Sequence, residues 1–179
     1  MHQTFKGLNI DYYSMKSQKL LRLVSEMLKN SKKSDRELAG ILGVSQPTVS
    51  RTRARIEKEY IKTYTIIPDF EKLGYQIMAF TFSKMKAYPG TDVADEIVKK
   101  SKEWLTKRPN VIFGADGEGL GKDLVLISFH KTYSAYADFM RSFAMEWGNY
   151  LDSFESFLVS IGAGYKLRDF DLKYLADDI

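Results

Sequence analysis

The sequence predicts an α+β protein in which a helical segment, a winged helix-turn-helix, precedes a βαββαβ domain. Three observations lead to this fold class. Apolar residues recur at helical spacing over the first third of the chain. A tight turn at Gly43 separates two short helices there. From Gln76 onward, four β-rich runs and two helical runs alternate in the order βαββαβ.

The helix-turn-helix is predicted from its capping residues. Ser34 and Glu37 form an S-x-x-E capping box that starts the second helix, and Gly43 ends it. Ser45 is a good N-cap for a third helix, which then runs without a breaker to Glu59. A first helix precedes them over Lys16–Lys29. The apolar positions expected in the core of these helices are Leu20, Leu21, Val24, Met27, Leu28, Leu38, Ile41, Leu42, Val49 and Ile56.

A strand is predicted directly after the third helix. The run from Tyr60 to Pro68 is rich in β-branched and aromatic residues and ends at proline. A strand at this place would make the helix-turn-helix a winged variant.

Charge is distributed unevenly along the chain. Residues 16–66 hold 12 Lys and Arg against 5 Asp and Glu, a net of +7, whereas residues 67–179 hold 14 against 17, a net of −3. A basic segment joined to a slightly acidic remainder is typical of a nucleic-acid-binding module beside a neutral domain. The alternative is a chance fluctuation of surface charge.

The third helix carries a polar face of hydroxyls, an amide and guanidiniums. Such groups hydrogen-bond base edges and phosphates in a major groove. The alternative is an amphipathic helix with a solvated basic face, but the tight turn before it and the basic surroundings favour DNA binding. Arg53 is expected to pack against the domain instead. The candidate DNA-binding residues are Gln46, Thr48 and Ser50 for base readout, Arg51 and Arg55 for phosphate or guanine, and Lys58 and Lys62 as weaker phosphate contacts.

Several motifs in this half of the chain occur together in one order. They are Leu38-Ala39, Gly43-Val44-Ser45, Thr48-Val49-Ser50-Arg51, Arg55-Ile56-Glu57, Ile61-Lys62, Tyr64-Thr65 and Asp69-Phe70-Glu71-Lys72-Leu73-Gly74-Tyr75. In these motifs the chain resembles the Lrp/AsnC (feast/famine) transcription regulators of archaea and bacteria. The resemblance implies double-stranded DNA as a partner. It also implies a second half of ferredoxin-like shape that dimerises and, in many members, binds a small effector such as an amino acid.

The expected domain organisation follows from these patterns. Residues 1–15 are an N-terminal extension, and residues 16–68 are the winged helix-turn-helix domain. A linker at 69–75 leads to the ferredoxin-like dimerisation and effector domain at 76–162. Residues 163–179 are a C-terminal extension.

In the second half, several predicted strands are apolar on both faces, as at Val111–Phe113 and Leu124–Ile127. A sheet with helices on one side should alternate apolar and polar residues, so the second face needs a cover. A second copy of the chain is the natural cover, and a homodimer would bind pseudo-palindromic sites. Folding back of residues 163–179 over the sheet is the alternative. The predicted elements are strands at 76–85, 111–115, 124–129 and 154–161, helices at 92–107 and 134–147, a loop at 87–91, and a turn or longer loop at 116–122.

The glycine-rich segment between the second and third strands is neither a dinucleotide-binding fingerprint nor a P-loop. The resemblance places an effector region here, with Gly121 and Asp123 as its candidate residues. A flexible hairpin without a ligand is the alternative.

Enzymatic chemistry is not indicated. The chain has no cysteine, and its two histidines, His2 and His130, are far apart, so no metal site, cofactor or catalytic residue is predicted. His130 is expected at the surface or as a capping residue. Two other hypotheses stay open: a small-molecule-sensing or protein-interaction module without DNA binding, and an enzyme on this scaffold similar to siroheme decarboxylases.

The location of the protein is predicted from what the sequence lacks. No apolar run reaches about 18 residues, and the N-terminus does not have the layout of a signal peptide. We therefore expect a cytoplasmic protein that does not bind a membrane.

Overall fold

The computed structural model describes residues 15–86, 91–162 and 167–179. The chain divides into two compact units, Met1–Ile67 with Arg168–Ile179, and Pro68–Leu167. Most of the predicted N-terminal extension, most of the 87–91 loop and the start of the C-terminal extension lie outside the described residues. The elements are α1 Met15–Lys29, α2 Asp35–Leu42, α3 Gln46–Glu59, β1 Ile77–Met85, α4 Thr91–Thr106, β2 Val111–Gly119, β3 Lys122–His130, α5 Tyr133–Trp147, β4 Leu151–Ser160 and the 3₁₀ helix Leu172–Asp177.

The first unit packs α1, α2 and α3 around one apolar core, as predicted. Leu38 and Ile56 are fully buried, and Leu23 and Val49 are nearly so. Leu23 was not among the expected core residues, although it follows Leu20 at helical spacing. Ile41 was expected in the core but is 47% exposed, because Leu38 and Leu42 already fill the inner side of this two-turn helix.

Capping fixes the start of α2 as the sequence predicts. The Glu37 carboxylate accepts the Ser34 N–H at 2.7 Å, and the Ser34 hydroxyl accepts the Glu37 N–H at 3.3 Å. These bonds satisfy backbone donors that a helix start leaves free. The Ser34 hydroxyl also donates to the Glu37 carboxylate at 2.7 Å, and this bond, together with the one from the Ser34 N–H, lowers the pKa of Glu37.

The strand predicted over Tyr60–Pro68 is wrong. Within the described residues, the backbone from 62 to 67 makes no backbone hydrogen bond, and Ile66 is 76% exposed. Composition favours an extended chain here, but a strand also needs a neighbouring strand, and the described part of this unit has none. The helix-turn-helix is therefore confirmed without its wing.

The second unit has the predicted βαββαβ order and a ferredoxin-like antiparallel sheet. Its strand order is β2-β3-β1-β4. Helices α4 and α5 contribute large aromatic side chains to the core on one face of the sheet, including Trp104, Phe143 and Trp147. Small residues of β1, such as Ala79 and Thr81, are completely buried on this face, since the rings above them fill the space. Thr81 shares a 2.8 Å hydrogen bond with Ser156, which satisfies its hydroxyl.

The other face of the sheet carries larger apolar residues. Phe80 of β1 lies opposite Ile127 on one side and Phe157 on the other. Phe157 is 68% exposed, and Phe113 of β2 is 49% exposed. The predicted apolar character of both sheet faces is therefore present, and we call this second surface the open face.

Of the two possibilities for Asp116–Lys122, a turn or a longer loop, the structure has the turn. β2 continues to Gly119, and only Leu120 and Gly121 join it to β3. Both have positive φ, 52° and 67°, the combination that lets a two-residue hairpin follow the twist of its strands. A leucine is rarely found in this conformation, so the sequence did not place the turn at Leu120.

His130 is buried, contrary to the expectation of a surface position. It is 3% exposed, with its Nε2 2.8 Å from the Ser128 hydroxyl. Burial lowers the pKa of its imidazole, because the charged form is disfavoured away from water.

The 3₁₀ helix belongs to the first unit. The Ser25 hydroxyl of α1 donates to the Ala176 carbonyl at 2.6 Å, and Ala176 is 3% exposed. These residues therefore cover α1, and the alternative that they cover the sheet does not hold for them. No helix in the described ranges is long and apolar enough to cross a membrane.

Candidate nucleic-acid interface

The turn between α2 and α3 sets the direction of the third helix. Gly43 has φ 65°, and the Val44 N–H donates to the Ala39 carbonyl at 3.1 Å. A side chain at Gly43 would have space, but the left-handed backbone would be strained. Ala39 and Val49 are both buried in the shared core, so the small residue and the β-branched one lie where the two helices meet.

Arg53 ties α3 to the start of α2. Its Nε lies 2.9 Å from an Asp35 carboxylate oxygen, and its guanidinium donates to the Lys33 carbonyl at 2.7 Å. Both charged side chains are largely buried. Arg53 therefore fixes the helix within its own unit, as expected, and does not belong to the exposed basic face.

Three of the candidate DNA-binding residues are exposed without an ion pair. Gln46, Ser50 and Arg51 are open to solvent on α3, and no salt bridge involves Arg51 in the described part of the chain. A free guanidinium has its donors available for a guanine or a phosphate.

Of the other candidates, Thr48 and Arg55 have side-chain partners, whereas Lys58 and Lys62 are also exposed without an ion pair in the described residues. Thr48 is half-buried, and its hydroxyl lies 2.8 Å from that of Ser45, which makes no side-chain capping bond to the backbone. Arg55 donates to Glu59 at 2.8 Å, and this bond raises the pKa of Arg55. Lys58 is exposed on α3, and Lys62 is exposed on the extended segment that follows.

A groove of about 700 Å³ brings some of these residues together with α1. Thr48, Arg51 and Arg55 line it from α3, whereas Gln46, Ser50 and Lys58 lie outside it. Its lining also contains two cations of α1 that the sequence reasoning did not single out, Lys19 and Arg22. We call it the α1–α3 groove. Its full lining is Lys19, Leu20, Arg22, Leu23, Leu42, Val44, Thr48, Val49, Arg51, Thr52 and Arg55.

Known proteins with similar sequences are transcription regulators. HTH-type transcriptional regulator FL11 of Pyrococcus furiosus is 33% identical over 79 residues, which are 44% of this chain and 52% of that protein. Uncharacterized HTH-type transcriptional regulator PH0061 of Pyrococcus horikoshii is 34% identical over 98 residues, 51% of this chain and 66% of its own. The chain spans about half the length of the curated relatives it matches. No family model matches it.

Solved structures share the fold over most of the chain. B. subtilis LrpC has a TM-score of 0.65 at 21% identity and covers 84% of this chain and 97% of its own. E. coli AsnC has a TM-score of 0.66 at 15% identity and covers 89% and 99%. A Neisseria meningitidis transcriptional regulator in complex with L-Met has a TM-score of 0.69 at 15% identity and covers 86% and 92%. The chain therefore has the fold of these Lrp- and AsnC-type regulators.

The two candidate effector residues of this chain occupy the β2–β3 hairpin. Gly121 supplies one of the two positive φ angles of the turn. The Asp123 carboxylate accepts the Met85 N–H at 2.8 Å, and its other oxygen lies 3.9 Å from the Lys84 ammonium. Because the pairing of β1 and β4 shifts register between Lys84 and Met85, Asp123 satisfies a backbone donor at this irregular position. It thus has a structural role whether or not a ligand binds.

Potential metal ligands do not cluster in the part of the chain that the structure describes. No group of three or more His, Cys, Asp or Glu side chains there could hold a metal ion.

Proposed function

We propose that this chain is a sequence-specific double-stranded DNA-binding transcription regulator of the Lrp/AsnC type that acts as a homodimer. The observation that carries the proposal is the exposed polar face of α3, with Arg51 unpaired in the described part of the chain. A regulator of this kind would bind DNA in the cytoplasm.

The rigidity of α3 supports sequence reading. Val49 and Ile56 anchor its inner side in the core, and Arg53 fixes it to α2. A helix held at both its apolar and charged contacts can present side chains to base edges in a constant geometry. Gln46 and Ser50 have the donor and acceptor groups for base edges, and Arg51 suits guanine.

The charge of this segment supports binding to a polyanion. Residues 16–66 contain 12 Lys and Arg against 5 Asp and Glu, while the rest of the chain is close to neutral. Neutralising DNA phosphates releases counterions, so binding should weaken as salt rises.

Fluorescence anisotropy with labelled duplexes from the source genome tests the proposal. The wild type should bind with an affinity that falls with salt, and Arg51→Ala should lose roughly 1–3 kcal/mol on preferred duplexes if Arg51 contacts guanine. Arg141→Ala removes the same kind of side chain from an exposed position of α5. This variant should bind like the wild type. A uniform loss across sequences would make Arg51 a phosphate contact. Absence of binding at low salt by folded protein would overturn the proposal.

The open face supports the homodimer. Phe80, Phe113 and Phe157 would remain against water in a single chain, and a symmetric partner presents the same apolar surface in return. Two copies would carry two α3 helices, which fits pseudo-palindromic DNA sites.

An amino-acid effector bound near Gly121 and Asp123 stays a prediction. The similar Neisseria meningitidis regulator is a complex with L-Met. In this chain, one oxygen of Asp123 holds the Met85 N–H, so a ligand at this place would use the remaining carboxylate oxygen or the exposed hairpin backbone.

A further inference from the structure

The cations of α1 fall into two groups with different surroundings. Toward its C-terminal end, Glu26 bonds to both Lys29 and Lys33, at 3.2 and 2.5 Å, and these bonds lower the pKa of Glu26. Toward its N-terminal end, Lys19 and Arg22 are exposed, and neither forms an ion pair within the described residues. Among the α1 cations whose side chains the structure describes, the uncompensated ones therefore lie on the groove side.

The α1–α3 groove joins this charge to that of the third helix. Arg51 and Arg55 line it from α3, opposite Lys19 and Arg22, and none of the residues that line it is acidic. Arg55 is held by Glu59, so three of the four lining cations are free of an ion pair in the described ranges. A groove whose charged side chains are all cationic favours an anionic ligand.

The floor of the groove keeps the two rims at a fixed spacing. Leu20 and Leu23 of α1 and Val49 of α3 are buried beneath it, so α1 cannot shift without opening the core. Side chains of Lys and Arg then extend from rigid helices on either side. This arrangement suits a continuous chain of phosphates better than a single small anion, because the cations are spread along both rims.

We infer that the sugar-phosphate backbone of bound DNA runs along the α1–α3 groove, where Lys19 and Arg22 contact its phosphates. This inference rests on the proposed function, and it extends the DNA interface from α3 to α1. Phosphate contacts fix the register of a protein on the duplex but carry no base preference. Lys19 and Arg22 therefore set affinity and the position of α3, while Gln46 and Ser50, which lie outside the groove, contact the bases.

The experiment compares two double variants of the full chain by salt-titrated anisotropy. Lys19→Gln with Arg22→Gln removes the two groove cations. The control, Lys99→Gln with Lys102→Gln, removes two exposed lysines at the same spacing from α4, so the net charge changes equally. Each phosphate contact contributes about 0.9 to the slope of log K against log salt, so the groove variant should be shallower by about 1.8. At 0.1 M salt its affinity should fall by a factor on the order of 50, equally on preferred and unrelated duplexes.

The outcomes separate this inference from the proposed function. If the wild type binds preferred duplexes and the groove variant keeps its slope, α1 does not contact phosphate, and the inference is overturned while the proposed function stands. A loss confined to preferred duplexes also contradicts it. If the wild type binds no duplex, both fail.

Two further variants guard against effects on folding. Lys19→Arg with Arg22→Lys exchanges the cations and should keep the slope near that of the wild type. Should the double Gln variant lose its helical circular dichroism, the single variants Lys19→Gln and Arg22→Gln should each lower the slope by about 0.9.

Discussion

The helical core of the first unit and the sheet of the second differ in how completely a single chain buries them. In the first, α1, α2, α3 and the 3₁₀ helix close around Leu38 and Ile56, which are fully buried. In the second, α4 and α5 bury one face of the sheet, while Phe157 and Phe113 on the open face remain largely exposed. The first core is complete in one chain, whereas the second calls for a partner.

The largest effect is expected on the stability of the first unit, through its apolar core. Leu38→Ala should lower the free energy of unfolding of the first unit by roughly 2–5 kcal/mol, because it removes a fully buried side chain and leaves a cavity. Ile41→Ala is the matched control, since this residue of the same helix is 47% exposed. Denaturant unfolding followed by circular dichroism compares them, and equal losses would mean that the described core is wrong.

The next largest effect is expected on dimerisation through the open face. Phe157→Lys should convert a dimer to a monomer, because two buried ammonium groups would face the partner surface without counter-charges. Met145→Lys places the same charge at a residue of α5 that is 87% exposed, and it should leave the dimer intact. Size-exclusion chromatography with light scattering measures the mass. A dimer that survives Phe157→Lys would place the interface elsewhere.

A smaller effect is expected on the pH dependence of stability, through the buried imidazole of His130. The pKa of His130 is lowered by burial, so just below the ordinary histidine pKa of 6.5 the unfolded chain binds a proton that the folded chain does not. Its contribution to stability is complete above pH 6.5 and is lost as pH falls, by at most about 1.4 kcal/mol per pH unit. Denaturant titrations between pH 7.5 and roughly 5.5 should show this loss, and His130→Gln should reduce it. An identical pH profile in the variant would contradict the burial of this imidazole.

The smallest effect concerns the 3₁₀ helix. Ser25→Ala removes the 2.6 Å bond to the Ala176 carbonyl and should cost about 1 kcal/mol of stability in the first unit. Ser50→Ala, at an exposed position of α3, should leave stability nearly unchanged. If thermal melting shows no difference between the two variants, the segment does not hold α1.

Local signals were enough to predict the helices of the first unit. The Ser34–Glu37 capping box and the left-handed Gly43 are decided by a few neighbouring residues, so the sequence shows them directly. The βαββαβ order followed likewise from runs and breakers along the chain.

The predictions that failed concern features that depend on residues distant in sequence or on an unusual backbone conformation. The run from Tyr60 to Pro68 has the composition of a strand but no neighbouring strand in the described part of its unit. The tight hairpin needs Leu120 in a left-handed conformation, which composition does not suggest. Lys19 and Arg22 look like an ordinary solvated helix face until α1 is placed beside α3.

Selection from a random duplex library tests the central claim most directly, namely that α3 reads DNA sequence. We expect the wild type to enrich a pseudo-palindromic motif, and Arg51→Ala to enrich one with weakened preference at one position in each half-site. Recovery of unenriched duplexes by folded wild-type protein would contradict sequence reading by this helix.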